Sequence, residues 1–182
     1  MQIPSEWKEV LSKVQSVFPG AVIAGGALRD LHYGTPIKDV DIFCPVDQCP
    51  DGLFDAPLSS VFGYDLLLHK SSCYGRNDIP DADRTIYAIY GLNNHEYDYD
   101  IIVAAPLECQ IKTFDLSICQ ISFDGSRIKT SEEYDRTRED KVIRVLNINR
   151  TDRQRNRVER MLVKFPDFAV DPALEDKFEQ LI

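Results

Sequence analysis

The segment spanning residues 21–43, AVIAGGALRDLHYGTPIKDVDIF, constrains the rest of the chain. Its apolar run at 21–24 predicts a strand, ended by the pair Gly25 and Gly26. A short amphipathic segment carrying Arg29 and Asp30 follows, then a turn at 34–36 and a second strand-like run holding Asp39 and Asp41. Side chains in a strand alternate between faces, so carboxylates at i and i+2 point the same way, about 6–7 Å apart. Such a pair suits a hard divalent cation.

At 182 residues the chain fits one domain and can bury a sizeable core. No run of 18 apolar residues is present, and the amphipathic N-terminus carries acids and a Trp instead of a signal peptide's apolar stretch. The expectation is an intracellular protein without a membrane partner. Its five cysteines, Cys44, Cys49, Cys73, Cys109 and Cys119, show no CxxC pair and read as free thiols. The net charge of −9 argues against a broadly basic nucleic-acid binder, yet residues 150–160, RTDRQRNRVER, concentrate five arginines.

Along the chain, residues 4–18 predict a helix capped by Ser5, with Trp7, Val10, Leu11, Val14, Val17 and Phe18 at helical spacing and Pro19-Gly20 as its stop. Residues 44–57 read as a loop or capped helix start, 58–70 as a short helix or a buried strand, and 71–83 as a surface loop. Residues 85–92 and 96–104 predict a hairpin. In its second strand Asp98 and Asp100 share one face, while Tyr97, Tyr99 and Ile101 share the other. A short helix is expected at 106–114, an apolar stretch at 115–124 and a turn at Gly125-Ser126. Ser131 is expected to cap a helix over 132–146, and a second helix over 151–164 stops at Phe165-Pro166. The expected division is a core at 1–126 with a helical extension at 127–182 packed on it, one compact domain overall.

Metal-dependent phosphoryl or nucleotidyl transfer needs a backbone cradle for polyphosphate, carboxylates for Mg²⁺ and an aligned attacking hydroxyl. Gly25 and Gly26 can supply the cradle, helped by the positive end of the following helix. Asp39 and Asp41 can supply the metal ligands, and a third carboxylate from another strand, Asp100, would complete a two-metal site. Taken alone, a Gly-Gly pair is an ordinary turn and two spaced aspartates are ordinary surface acids. Their order along the chain carries the reading.

The stretch GGALRDLHYGTPIKDVDIF resembles the signature of the DNA polymerase β-type nucleotidyltransferase superfamily. In particular it resembles the head domain of the CCA-adding enzyme and bacterial poly(A) polymerase family, whose pattern is GG, two residues, RD, a spacer, then DxD. Residues 114–125, FDLSICQISFDG, are similar to that family's RRDFTINALAYD block, with Asp115 at the aspartate, Ser117 at the threonine and Cys119 at the asparagine. The family's two arginines before the aspartate are replaced by Thr113 and Phe114. The helix RQRNRVERMLVKF is loosely similar to the family's DPLRILRAIRF helix.

The resemblance implies an α+β nucleotidyltransferase fold, a mixed sheet with helices mainly on one face. It implies attack by a hydroxyl on the α-phosphate of a nucleoside triphosphate, ATP or CTP, with release of pyrophosphate. Gly25 and Gly26 would touch the triphosphate, Arg29 would position it or brace the loop through Asp30, and Asp39, Asp41 and Asp100 would hold Mg²⁺, with Asp98 in reserve for Asp100. Asp115 and the helix arginines Arg153, Arg157 and Arg160 would complete the nucleotide or RNA contacts, and Asp152 with Arg155 has the spacing of a DxxR base-reading pair. The implied acceptor is an RNA 3′ end, most simply tRNA; the alternatives are a protein side chain, a small molecule, or nucleotide binding without catalysis. The short form is similar to phage-type or toxin-type stand-alone proteins and would act in the cytoplasm, that of a host if phage-encoded.

Overall fold

The computed structural model describes residues 1–49, 54–74, 86–107, 109–146 and 151–174. Helix α1 (Ser5–Gln15) presents Trp7, Val10, Leu11 and Val14 on one face, all buried. Its cap is Pro4, with no side-chain capping bond, so Ser5 begins the helix and does not cap it. Strand β1 (Val22–Ala24) leads through Gly25 into α2 (Gly26–Tyr33), which ends at Gly34 in the left-handed conformation. Strand β2 (Asp39–Pro45) follows. The ambiguous 58–70 stretch holds a helix and then a strand, α3 (Asp55–Phe62) and β3 (Leu66–Tyr74), and the strand lies at the sheet edge with Leu67 and Leu68 exposed, not buried as expected. Residues 71–74, expected as loop, therefore extend a strand, and the remainder of that expected loop lies outside the described residues.

Strands β4 (Ile86–Leu92) and β5 (Asp98–Ala104) form the expected antiparallel hairpin. Among the described residues of 106–114 the expected helix does not form. Pro106 and Leu107 form a turn, and only one tight helical turn appears, at Ile111–Thr113. Strands β6 (Ile121–Phe123) and β7 (Ile128–Thr130) flank the turn at Gly125. Ser131 does cap α4 (Glu132–Asp140), accepting from the Tyr134 amide at 3.0 Å. That helix ends at Lys141, in the left-handed conformation, and not near residue 146. The chain then forms β8 (Val142–Ile143), α5 (Thr151–Lys164) and β9 (Ala169–Val170), with β8 and β9 paired in a small parallel sheet.

The main sheet is mixed, in the order β3-β4-β5-β2-β1-β6-β7, and its one parallel pair is β2 with β5. This α+β architecture is the expected fold class. On the back of the two central strands, Val40, Ile42 and Cys44 of β2 and Tyr99, Ile101 and Val103 of β5 are buried with α1, Ala27 and Leu28 of α2 and Leu58 of α3 in one core. Covering that face removes apolar area worth about 1.5–3 kcal/mol per large side chain from water. A second core joins Leu116, Ile118 and Cys119 to Ile143 and Val145 and to Val158 and Phe165. It seats α5 beside the segment that follows Phe114. Among the described residues no helix is long and apolar enough to cross a membrane.

Candidate active site

The site is built on the front of β2 and β5. Because the two strands are parallel and in register, Asp39 stands beside Asp98, Asp41 beside Asp100 and Phe43 beside Ile102. Side-chain alternation puts all four aspartates on one face, the face opposite the core. Like charges directly opposite one another on neighbouring strands repel. Asp41 records the repulsion: burial, then the charges of Asp39 and Asp100, push its carboxyl up to about 7. Asp98 is exposed at the strand end, whereas Asp100 is half-buried. Gly91 of β4 pairs with Asp100 and offers no side chain to crowd it.

A cation stands at the rim. Lys38 Nζ donates to Asp39 Oδ2 at 2.7 Å. That bond, then the charge of Asp39, holds its ammonium above the usual lysine value, with Asp100 and Asp41 adding to the effect. Among the described residues, no three His, Cys, Asp or Glu side chains are already gathered around one metal position. The donor set nonetheless fits a hard divalent ion: it is all carboxylate and crowded, and at Asp41 the nearby charges of Lys38 and Arg157 offset the crowding only in part.

Gly25 has φ +86° and ψ −128°, a conformation side chains rarely adopt. Its amide donates to the Ile121 carbonyl at 2.9 Å, which ties the turn to β6. No side chain caps the start of α2, and its first turn carries no acid, so the positive end of the helix is open to an anion. Arg29 and Asp30 lie behind this turn and are buried. Arg29 Nε donates to Asp30 Oδ1 at 2.8 Å and its Nη1 to Cys119 Sγ at 3.1 Å. Asp30 also accepts from Thr35 at 3.2 Å and from Lys164 Nζ at 2.5 Å. The pair is thus held by protein partners, as a bracing role requires, and both residues also line a cavity at the site.

Helix α5 closes one side. Asp115 receives Arg157 Nη1 on both oxygens, at 2.8 and 2.6 Å. Lys164 reaches Asp30 and the Pro36 carbonyl. Arg160 is exposed and donates to the Asn156 carbonyl at 3.3 Å. The side chains of Asp152 and Arg153 lie outside the described residues. A cavity of about 510 Å³ brings Gly25, Gly26, Arg29, Asp30, Asp39, Asp41, Asp115, Arg157 and Arg160 together. Asp100 lines a neighbouring cavity of about 360 Å³ that shares Lys38 and Asp39. Arg155, half of the expected base-reading pair, is not on the wall of either.

The wall also includes residues given no site role in the sequence reading, among them Lys38, Phe43, Ile102 and Lys164, together with Phe114 and Cys119, which enter that reading only as positions in the second motif block. Phe43 was accessible, since it continues the Asp39, Asp41 alternation. Lys164 was accessible too, one helical face along from Arg157 and Arg160.

Solved structures supply the comparison. The chain is similar to a CCA-adding enzyme in complex with ATP (19% identity, TM-score 0.64, 97% of this chain and 42% of that one). It is similar to the Thermotoga maritima CCA-adding enzyme complexed with tRNA (16%, 0.64, 98% and 42%). A third likeness is to the Bacillus stearothermophilus CCA-adding enzyme in complex with CTP (19%, 0.55, 96% and 43%). The chain has the nucleotidyltransferase head-domain fold. It spans a little under half the length of these neighbours. No family model and no curated protein sequence matches it. Within this fold the Gly-Gly turn and the β2 aspartates stand in one cavity.

Proposed function

We propose that this protein transfers a nucleoside monophosphate from a nucleoside triphosphate to a hydroxyl acceptor, releasing pyrophosphate, with an RNA 3′ end as the acceptor. The observation that carries the reading is the front of β2 and β5, where Asp41 is pressed by Asp39 and Asp100 beside an uncapped Gly-Gly helix start. Such a crowd of carboxylates costs stability and is useful where a cation is to be gathered. The solved CCA-adding enzymes complexed with ATP, CTP or tRNA support the choice of reaction and substrates.

In this reading Gly26 and the next amides of the first turn of α2 donate to the triphosphate, while Gly25, its own amide held by Ile121, leaves room beside them, and Arg160 faces its charge from α5. Arg29 and Asp30 keep the turn in shape, while the Asp115–Arg157 and Asp30–Lys164 pairs hold α5 against it. Asp39 and Asp41 would hold Mg²⁺ together with Asp100, the carboxylate in register with Asp41. When bound, the ion neutralises charge at the α-phosphate and favours the ionised acceptor. The acceptor oxygen bonds to the α-phosphorus as the bond to the pyrophosphate oxygen breaks, and the hydroxyl proton passes to Asp100. The domain division read from the sequence, a core followed by a helical extension, belongs to the same proposal.

The net charge of −9 favours a second reading, in which the acceptor is a protein side chain or a small molecule and not a large polyanion. One assay separates the two. Each labelled nucleoside triphosphate is incubated with Mg²⁺ and either total tRNA or whole lysate, for wild type and Asp41→Asn. Label entering RNA, lost in the variant, is the expected outcome; label entering protein or small molecules selects the second reading. No transfer to any acceptor, with nucleotide still bound, overturns both.

A further inference from the structure

The cavity has an apolar half that phosphate and carboxylate chemistry leaves unused. In strand register the face that carries Asp41 and Asp100 continues into Phe43 and Ile102, then Ala104, with Ile86 of β4 paired to Ala104. Each step along a strand face is about 6–7 Å, so this floor begins one residue pair beyond the carboxylates. Phe114 stands over it, half-buried, its ring 5.1 Å from that of Phe43 and tilted by 45°.

Phe114 is held in place. Its carbonyl accepts from Gln120 Nε2 at 3.0 Å, and its amide donates to the Ile111 carbonyl at 3.1 Å. A Cβ built on Gly25 would lie 3.2 Å from its Cε2, so the ring edge touches the backbone of the proposed phosphate cradle. It also occupies the place where the similar sequence block carries an arginine. The cavity therefore has an anion-accepting end and an aromatic end in contact, which complements a ligand with a polyanionic end and a flat, weakly polar end.

We propose that Phe114, backed by Phe43, is the stacking platform for the base of the incoming nucleotide. This inference rests on the nucleotidyl-transfer reading above and adds a base-binding residue to it. A fixed aromatic ring costs little ordering when the ligand arrives. Stacking accepts any base face, so Phe114 contributes affinity with little choice among bases beyond their stacking area.

The test measures dissociation constants for ATP and for inorganic triphosphate, with Mg²⁺, on wild type, Phe114→Ala, Phe114→Leu and Phe114→Trp. Stacking predicts about tenfold weaker ATP binding for Ala and Leu, near wild-type binding for Trp, and unchanged triphosphate binding throughout. Leucine keeps apolar volume without a π face and preserves the test if the alanine variant unfolds. Equal loss of both ligands would show that the ring only props Gly25, and full ATP affinity in Phe114→Leu would show that volume alone matters; either overturns the platform. Failure of wild type to bind both ATP and triphosphate overturns the nucleotidyl-transfer reading itself, and the platform with it.

Discussion

At the scale of single residues, Asp41 and Gly25 show a chain giving up stability for a site. Asp41 titrates near 7 when folded and near an ordinary aspartate value when unfolded. The folded state therefore keeps a proton that the unfolded state has lost. The associated stability is fully present below about pH 4, declines as pH rises toward about 7, and stays low above that. The full shift corresponds to on the order of 4 kcal/mol. Asp41→Asn is accordingly expected to unfold about 1–3 kcal/mol later than wild type at about pH 8, with little difference at about pH 4, while losing transfer activity. Urea denaturation at both pH values checks this; equal stability at the higher pH would contradict the crowding. Mg²⁺ is expected to raise the melting temperature of wild type at about pH 8 and to leave Asp41→Asn nearly unmoved, since only the crowded form gains from the ion. Gly25→Ala is expected to cost about 1–3 kcal/mol through its left-handed backbone, and more if Phe114 cannot give way. A loss below 0.5 kcal/mol, on the order of an ordinary surface change, would mean that the turn relaxes freely.

At the scale of elements, α5 is joined to the cradle by two ion pairs that span long stretches of sequence, Asp115–Arg157 and Asp30–Lys164. Asp30 and Asp115 are nearly buried while their cations are partly open, so each acid depends on its partner more than the reverse. Asp30→Ala is expected to destabilise by about 3 kcal/mol, because it strands the buried Arg29 as well as releasing Lys164. Lys164→Met should cost about 1 kcal/mol, and a double-mutant cycle should return a coupling of about 1–2 kcal/mol. Amide exchange along α5 should quicken in both variants; unchanged exchange would mean that the Asp115–Arg157 pair and the apolar contacts of Val158 hold the helix without Lys164. These ties were not readable from the sequence, where Arg157 and Asp115 both looked like ligand contacts. Local periodicity sees residues two to four apart and is silent about pairs separated by tens of residues. The same limit explains the register of β2 and β5. Alternation showed that Asp39 with Asp41, and Asp98 with Asp100, each share a face. Only the parallel pairing sets Asp41 against Asp100. The shortened α4 is a local failure instead, since its charged sequence continues smoothly to Lys141, where the backbone turns left-handed and β8 begins.

At the scale of the whole molecule, the distribution of charge decides how an RNA could be held. The chain carries a net charge of −9, and its densest run of arginines lies at 150–160, largely on α5. Within that run Arg157 is already bound to Asp115, which reduces what it can offer a phosphate. Arg160 is exposed beside the cavity mouth. An acidic protein with a single short basic strip should grip only the last few nucleotides of an acceptor. Each phosphate contact to a single strand contributes a slope of about −0.7 to the dependence of log affinity on log salt. Two or three contacts then predict a slope of about −1.5 to −2 for a single-stranded RNA 3′ end, far shallower than a protein that clasps a folded RNA. Arg160→Ala should reduce the slope by about 0.7 with the fold intact, because its bond to the Asn156 carbonyl lies within one helix turn. Filter binding across a salt series measures both. A slope steeper than about −4 would require phosphate contacts well beyond α5. A slope near zero at every salt would remove RNA as the acceptor and leave the protein or small-molecule reading, in which the acidic surface repels nucleic acid and the carboxylate face still performs the transfer.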